Sequence, residues 1–455
     1  MKSVALHSLG CKVNSYETDV MSQELSEHGY SIVPFDEKAD IYIINTCTVT
    51  NIADRKSRQM LHKAKKENPK ALVVAVGCYV ETGREGVIKD ECIDIALGNK
   101  TKNHIAEILD EYFANTEKDS GSNNDYSIRA QKMFHSETKI IGDERNDGSF
   151  DTILDHHPGH TRAYIKIQDG CNQFCTYCII PYARGRIISR DKNSILSEIR
   201  RLAIDGCKEV VLTGIHISSY GLDNGEPALV GLVSAINEID GIERIRLGSI
   251  EPRLMTRENV TALSSLDKLC PHFHLSLQSG CDETLKRMNR HYTCEEFRES
   301  VRLLREAFDN PAITTDVIVG FPGETPAEFE SSRDFLEEIR FYEMHVFKYS
   351  IRHGTPAATM PMQLTDKQKS ERSDVLLEMT DIHSKAFREL FIGKTVKVLW
   401  EDAEVIYGEL YIVGHTTRYV RVAMKIDKDD ESSFAGKISE IKPYDFLNNE
   451  TLIAK

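Results

Sequence analysis

DGCNQFCTYCIIPYARGR, residues 169–186, is the stretch on which the reading of this chain turns. It follows an apolar, β-branched run, RAYIKIQ from Arg162, of the kind that forms a buried strand. Its cysteines, Cys171, Cys175 and Cys178, are spaced C-x3-C-x2-C. Thiolates at that spacing wrap one corner of a [4Fe–4S] cube and leave the remaining iron without a protein ligand. A zinc knuckle is the competing reading. Zinc wants a further ligand, however, and a structural zinc would not account for the regular pattern that follows.

Downstream, strand-like runs recur as KEVVLTG, RIRLGSI, FHLSLQ, TTDVIVGF and EMHVFKYS, separated by helical segments such as NSILSEIRRLAIDG and PAEFESSRDFLEEIR. Consecutive βα units imply right-handed crossovers and a curved parallel sheet, either a partial barrel or an open sheet. The cysteine loop then sits at the carboxyl mouth of the first strand, where such barrels assemble their active sites. A charged helical segment, TDKQKSERSDVLLEMTDIHSKAFREL, follows, and the tail KTVKVLWEDAEVIYGELYIVGHTTRYVRVAMK…AGKISEIKPY predicts five short strands in a small OB-like barrel.

Upstream, apolar runs at VALHSL, DIYIINT and ALVVAVG alternate with helical patterns, SYETDVMSQELSEHG and ADRKSRQMLHKAKKEN, in the manner of an open parallel α/β unit. Cys11, Cys47 and Cys78 each follow one of these strands. They are 36 and 31 positions apart, yet the carboxyl edge of a parallel sheet would bring them together. By themselves they read equally well as buried structural thiols. Beside the downstream motif they read as ligands of a second cluster. The polar stretch between about 115 and 160 predicts a linker with one or two short strands.

The composition bounds the alternatives. A chain of 455 residues with 40% hydrophobic content has room for about three domains. No apolar run is long enough to span a bilayer and no signal peptide is evident, so a cytoplasmic protein with no membrane contact is expected. Eleven cysteines without an export signal argue for ligands and reduced thiols, not a disulfide framework. The net charge of −14 confines any nucleic-acid contact to a local patch.

The cysteine spacing, with the aromatic Tyr177 beside the last thiol, resembles the radical S-adenosylmethionine superfamily. Within it the chain resembles the methylthiotransferases, on LGCKVNSYE around Cys11, NTCTVT around Cys47, VGCY around Cys78, LSLQSG from Leu275, RMNRHYT from Arg287 and DVIVGFPGET from Asp316. The likeness covers nearly all of the chain, most poorly near 115–160. It implies an N-terminal methylthiotransferase domain over 1–115 with an auxiliary cluster on Cys11, Cys47 and Cys78, a linker over 116–160, a radical domain over 161–390 and a TRAM β-barrel over 391–455. It also implies two [4Fe–4S] clusters and S-adenosylmethionine, whose amino and carboxylate groups bind the open iron and whose one-electron cleavage yields a 5′-deoxyadenosyl radical. The implied partners are a tRNA anticodon loop and an electron donor such as flavodoxin or ferredoxin. GCKVN, YCIIPYARGR and GHTTRYVRV are most similar to the branch acting on N6-threonylcarbamoyladenosine. The isopentenyladenosine branch, which more often begins with a GCQMN-like string, and the branch modifying a ribosomal-protein aspartate are the alternatives.

Where many radical enzymes carry GGE after the second barrel strand, this chain reads LTGIH, so a cofactor contact at Thr213 and Gly214 is expected through backbone. Tyr177 is also expected at the cofactor, as the resemblance implies, while Gln278 and Asp316 are candidates for ribose or amino contacts and, equally, for loop anchors. The basic run Arg55, Lys56, Arg58, Lys63, Lys65 and Lys66 is expected to meet RNA phosphate, Arg184, Arg186 and Arg190 to meet RNA or the methionine carboxylate, and His415, Arg418 and Tyr419 to stack on or bond to bases. Cys92, Cys207, Cys270, Cys281 and Cys294 complete neither set and are expected to be structural.

Overall fold

The structure is a computed structural model and describes residues 1–118, 161–427 and 431–455. Its N-terminal sheet contains β1 (Ser3–Ser8), β2 (Ser31–Val33), β3 (Ile41–Thr46), β4 (Leu72–Gly77) and β5 (Ile95–Leu97). All pair in parallel, in the order β2-β1-β3-β4-β5. Every residue of β3 and β4 is buried, as expected of central strands covered on both faces. The helix Lys12–Glu27 begins three residues earlier than its sequence pattern suggests, which makes Cys11 its N-cap. The helix Asn51–Glu67 is capped by Thr50, whose side chain accepts from the Ala53 amide. Of the stretch 116–160, only the end of the helix Ile105–Lys118 is described; the short strands expected there lie outside the described residues.

The central domain contains β6 (Arg162–Asp169), β7 (Ile188–Ser189), β8 (Glu209–Gly214), β9 (Arg244–Leu247), β10 (His272–His274), β11 (Ala312–Val319) and β12 (Glu343–Lys348). Apart from the short antiparallel β7 on the outer edge of β6, neighbours pair in parallel and in chain order. β9 and β10 are joined only by the isolated bridges Ile245–Leu269 and Ile250–Leu275. No β6–β12 pairing occurs among the described residues, so the wall is a partial barrel. Ile165, Leu212, Ile245, Phe273, Val317 and Met344 belong to the core shared with the surrounding helices. Strand side chains alternate, so Lys166, Thr213, Arg246, His274, Asp316 and His345 take the inner face. Capping boxes at Thr293/Glu296, Thr325/Glu328 and Thr365/Gln368 start the helices Cys294–Ala307, Pro326–Ile339 and Asp366–Glu389.

The C-terminal sheet has six strands, one more than expected: β13 (Val396–Ile406), β14 (Glu409–Thr416), β15 (Arg421–Lys425), β16 (Ile438–Ile441), β17 (Asp445–Asn448) and β18 (Thr451–Ala454). The final residues fold back as a hairpin, and β18 adds in parallel to β15. Trp400 is fully buried at the centre of this domain's core.

The two smaller domains meet opposite ends of the barrel. At the amino ends of its strands, Arg244 donates to the His415 and Lys397 carbonyls, at 2.9 Å each, and Arg246 to the Thr417 carbonyl at 3.0 Å. At the carboxyl ends, Arg352 reaches the N-terminal domain, donating to Thr48, Asn51 and Asp54 at 2.6–2.8 Å.

Candidate active site

Cys171 follows β6, and a backbone reversal at Gly170 turns the chain into the cysteine loop. Gly170 has φ +66°, and a Cβ there would lie 1.8 Å from the Arg186 carbonyl oxygen, so only glycine fits. The loop is clamped by the RMNRHYT segment. The Thr176 amide donates to the Met288 carbonyl at 3.0 Å, the Thr176 hydroxyl to the Arg287 carbonyl at 2.8 Å, and the Asn289 amide group to the Phe174 carbonyl at 3.1 Å. Arg290 donates to Cys175 Sγ at 3.2 Å. Burial pushes the Cys171 thiol up to about 11 and the Cys178 thiol up to about 12, and each is raised further by the neighbouring Cys175. Tyr177 packs edge-on to Phe321, with Met288, Tyr349 and Ala357 behind it. These are free thiols held in mutual electrostatic contact, in a site too dry for bare thiolates and backed by a guanidinium. Such a donor set fits a cluster, because a bound metal deprotonates its thiols.

The N-terminal triad is built by adjacency. β1, β3 and β4 are neighbours in the sheet, and Cys11, Cys47 and Cys78 follow their carboxyl ends directly or within a few residues. Gly10 has φ +98°, and a Cβ there would come within 2.6 Å of Cys47 Sγ. Burial lifts the Cys47 thiol to about 11, with further increments from Cys11 and Cys78. Asn99 donates to Cys78 Sγ at 3.6 Å and to the Ala183 carbonyl, in the segment after the other cysteine loop, at 2.9 Å. Asn14 anchors the first loop through the Leu9 and Thr46 carbonyls, at 2.7 and 3.0 Å. This set also fits a cluster on the same chemical grounds.

Between the triads lies a buried charge network. Arg184 donates to Glu17 at 2.9 Å, to Asn14 at 2.7 Å and to Asp169 at 3.0 Å. Lys102 and Lys166 close on the two oxygens of Glu17 at 2.6 and 2.7 Å. Despite full burial, the Glu17 carboxyl is held well below the usual range by Arg184, Lys102 and Lys166. Arg190 is likewise buried and paired with Glu198. Arg184 and Arg190 are therefore not available to RNA or the methionine carboxylate, contrary to the sequence expectation. Their role is to join domains, with desolvated charges answered by opposite charges. Arg186 lies over the Phe174 ring, 5.0 Å from its centroid.

The remaining expected residues are spread around the barrel. Thr213 is buried on β8, and Gly214 packs against the Gln168 carbonyl. Gln278 has φ +72°, its amide donating to the Asp316 carbonyl at 2.8 Å. The Asp316 carboxylate lies 3.3 Å from His274 Nε2, and His345 stacks on His274 at 5.7 Å. In the basic helix, Lys65 is paired with Asp94 at 2.7 Å and Arg58 donates to the Tyr79 hydroxyl at 3.4 Å, while Arg55, Lys56 and Lys66 remain exposed. Tyr419 stacks on His415 at 4.5 Å, with Arg162 and Arg246 against its ring. Arg418 donates to the Asp309 and Asn310 carbonyls. These last residues seal the barrel floor, which corrects the expectation that they stack on bases.

Sequence reading missed Arg290, although it lies within a quoted string. It also missed Glu251, which Gln173 of the cysteine loop contacts at 3.2 Å and which His216 and Arg253 hold at about 2. Lys12 was missed as well. Its side chain is exposed, yet desolvation by the protein around it and the Arg246 and Arg162 guanidiniums lower its ammonium to about 8.

Comparison with known proteins places this geometry. A family model described as "Radical SAM superfamily" matches residues 165–336, and one described as "Uncharacterized protein family UPF0004" matches residues 3–98. The threonylcarbamoyladenosine tRNA methylthiotransferase MtaB of Bacillus subtilis is 38% identical over 97% of this chain and 94% of its own length. The protein of the same name from Aquifex aeolicus is 39% identical over 90% of this chain and 95% of its own. A tRNA-2-methylthio-N(6)-dimethylallyladenosine synthase of Alkaliphilus oremlandii is 32% identical over 100% of this chain and 89% of its own. Among solved structures, the radical S-adenosylmethionine methyltransferase TsrM from Kitasatospora setae shares the fold, with a TM-score of 0.54 at 16% identity over 78% of this chain and 77% of that one.

Proposed function

Since the chain belongs to the methylthiotransferase family of radical S-adenosylmethionine enzymes, we propose that it adds a methylthio group to carbon 2 of N6-threonylcarbamoyladenosine beside the anticodon of tRNA. The observation that carries the reading is the near full-length match to relatives of that name, at 38–39% identity. The domain arrangement supports it: both thiol triads lie where the N-terminal domain meets the carboxyl mouth of the barrel, with Asn99 contacting Cys78 on one side and Ala183 on the other.

When bound, two [4Fe–4S] clusters and S-adenosylmethionine supply a radical that removes hydrogen from the base and a sulfur that replaces it. The chain's own residues do the rest. Arg290 holds Cys175 by a charge-assisted bond and sets a fixed positive charge beside that triad. Phe321, Tyr349 and Met288 back the cysteine loop and keep water from it. Thr213, Gly214, Gln278, Asp316 and Glu251 edge the mouth and bind the cofactor's polar groups. The target base is extruded from the anticodon stack into the barrel, which a loop permits more cheaply than a duplex. Ile52 and Val49, both more than half exposed just beyond Cys47, offer an apolar rim for that base's neighbours. An electron donor such as flavodoxin or ferredoxin delivers the electron. No helix among the described residues is long and apolar enough to cross a membrane, and action on tRNA fits a cytoplasmic protein.

Nucleoside mass spectrometry of tRNA from cells lacking this gene tests the assignment. The methylthio form of threonylcarbamoyladenosine should vanish and its precursor accumulate. Loss of the methylthio-isopentenyl nucleoside in its place would overturn the substrate. Unchanged nucleosides with a lighter ribosomal protein would overturn tRNA as the target.

A further inference from the structure

The interior of the partial barrel carries a cation that the fold leaves unanswered. Lys12 extends from the first turn of the helix Lys12–Glu27, which packs across β6 and β8. Its ammonium lies within electrostatic reach of Arg162, Arg246 and Glu209, and of His272. Arg162, Arg244 and Arg246 share Glu209, and Arg162 also pairs with Glu401. With Lys12 that makes four cations against two carboxylates. The three arginines are further satisfied by carbonyls of the C-terminal domain or by the Tyr419 hydroxyl. Lys12 makes no ion pair or hydrogen bond among the described residues, and it stays open to solvent although the barrel walls surround it. A second observation points to the same place. His272, only 9% exposed, packs 5.3 Å from the Tyr419 ring that Arg162 and Arg246 flank, and its buried Nδ1 has no hydrogen-bond partner among the described residues.

A barrel interior with surplus positive charge, into which the residue next to Cys11 brings a further cation, suits an anionic group on the substrate itself. The phosphate backbone stays outside when one base is extruded. A threonylcarbamoyl group, by contrast, carries a carboxylate on the base, whereas an isopentenyl group carries no charge. Resting on the substrate class proposed above, we infer that Lys12 receives the threonyl carboxylate and is the residue that selects threonylcarbamoyladenosine over adenosines with apolar N6 groups.

Binding of synthetic anticodon stem-loops to the cluster-loaded protein, followed by fluorescence anisotropy, tests this without reading turnover. The probes carry threonylcarbamoyladenosine, its carboxylate methyl ester, isopentenyladenosine or plain adenosine. The wild type should bind the acid roughly 10- to 100-fold more tightly than the ester, the usual worth of one charged hydrogen bond. Lys12→Gln, with the residue of the GCQMN-like string, should lose that margin and bind acid and ester alike, while Lys12→Arg should keep it. Iron and sulfide content equal to wild type shows that the substitution has left the neighbouring Cys11 site loaded. If Lys12→Gln still prefers the acid, or if it weakens all the stem-loops equally as a phosphate contact would, the inference is overturned. If the wild type itself favours isopentenyladenosine, the substrate reading fails instead, and the two failures are told apart.

Discussion

Among the described residues, Arg290 alone joins a guanidinium to a triad thiol by a hydrogen bond, and its charge is permanent. Replacing it with glutamine removes a cation from beside a site that becomes more negative on reduction. The midpoint potential of the cluster on Cys171, Cys175 and Cys178 should therefore fall, by about 100 mV for a unit charge several Å away at an effective dielectric of ~20. An EPR-monitored redox titration reads this; an unchanged potential would show that the charge is screened. Glu17 is the second decisive residue. Glu17→Gln leaves Arg184, Lys102 and Lys166 with one carboxylate, Asp169, among them. Breaking a buried set in this way costs about 3–5 kcal/mol, which denaturant unfolding should register. The cysteines themselves were legible because a short motif and three strand ends are local signals. The partnership of Glu17 with Arg184, 167 positions away, has no local signature and emerges only from the packing.

Elements succeed or fail here through their ends. The turn at Gly10 brings Cys47 against the loop carrying Cys11, and alanine would need both a left-handed backbone and the space of a thiol. Gly10→Ala should halve the iron bound per chain, with the cluster of the central domain retained and S-adenosylmethionine cleavage still detectable; full iron content would refute the role given to this turn. The long strands and the helices Pro326–Ile339 and Asp366–Glu389 were plain in the sequence, because their apolar patterns extend over many residues. β2 and β5 were not, since three-residue edge strands carry too few alternations to stand out. Nor was the sixth strand of the tail, a four-residue return whose partner lies about thirty positions back. Tyr419 misled for a related reason: an aromatic in a nominal RNA-binding module looks like a stacking platform until its contacts with Arg162, Arg246 and His415 are seen.

Over the whole molecule, carboxylates shared between barrel and flanking domains make the assembly acid-sensitive. Glu209, clamped by Arg246, Arg162 and Arg244 against its burial, is held at about 2 in the folded protein and returns to about 4.5 when unfolded. Its folded-state value is depressed, so its contribution is complete above the unfolded value and is lost as pH falls through the interval toward 2. That contribution is about 3 kcal/mol. Glu17 and Asp169, also depressed, add to the loss in the same direction. Stability to denaturant should thus drop steeply below pH 5, with Glu209→Gln reducing the slope there; a profile that rises as pH falls from 5 toward 2 would contradict the clamps.

The claim on which everything rests is that each triad anchors its own cluster at one shared mouth. Iron analysis with Mössbauer spectroscopy, on oxygen-free protein and on variants with alanine replacing all of Cys11, Cys47 and Cys78 or all of Cys171, Cys175 and Cys178, reads it directly. Two cubes' worth of iron in the parent and one cube's worth in each variant, with S-adenosylmethionine cleavage surviving only in the first, is the predicted result. A variant that keeps the parent's full iron, or a parent that binds only a single cube, would contradict it.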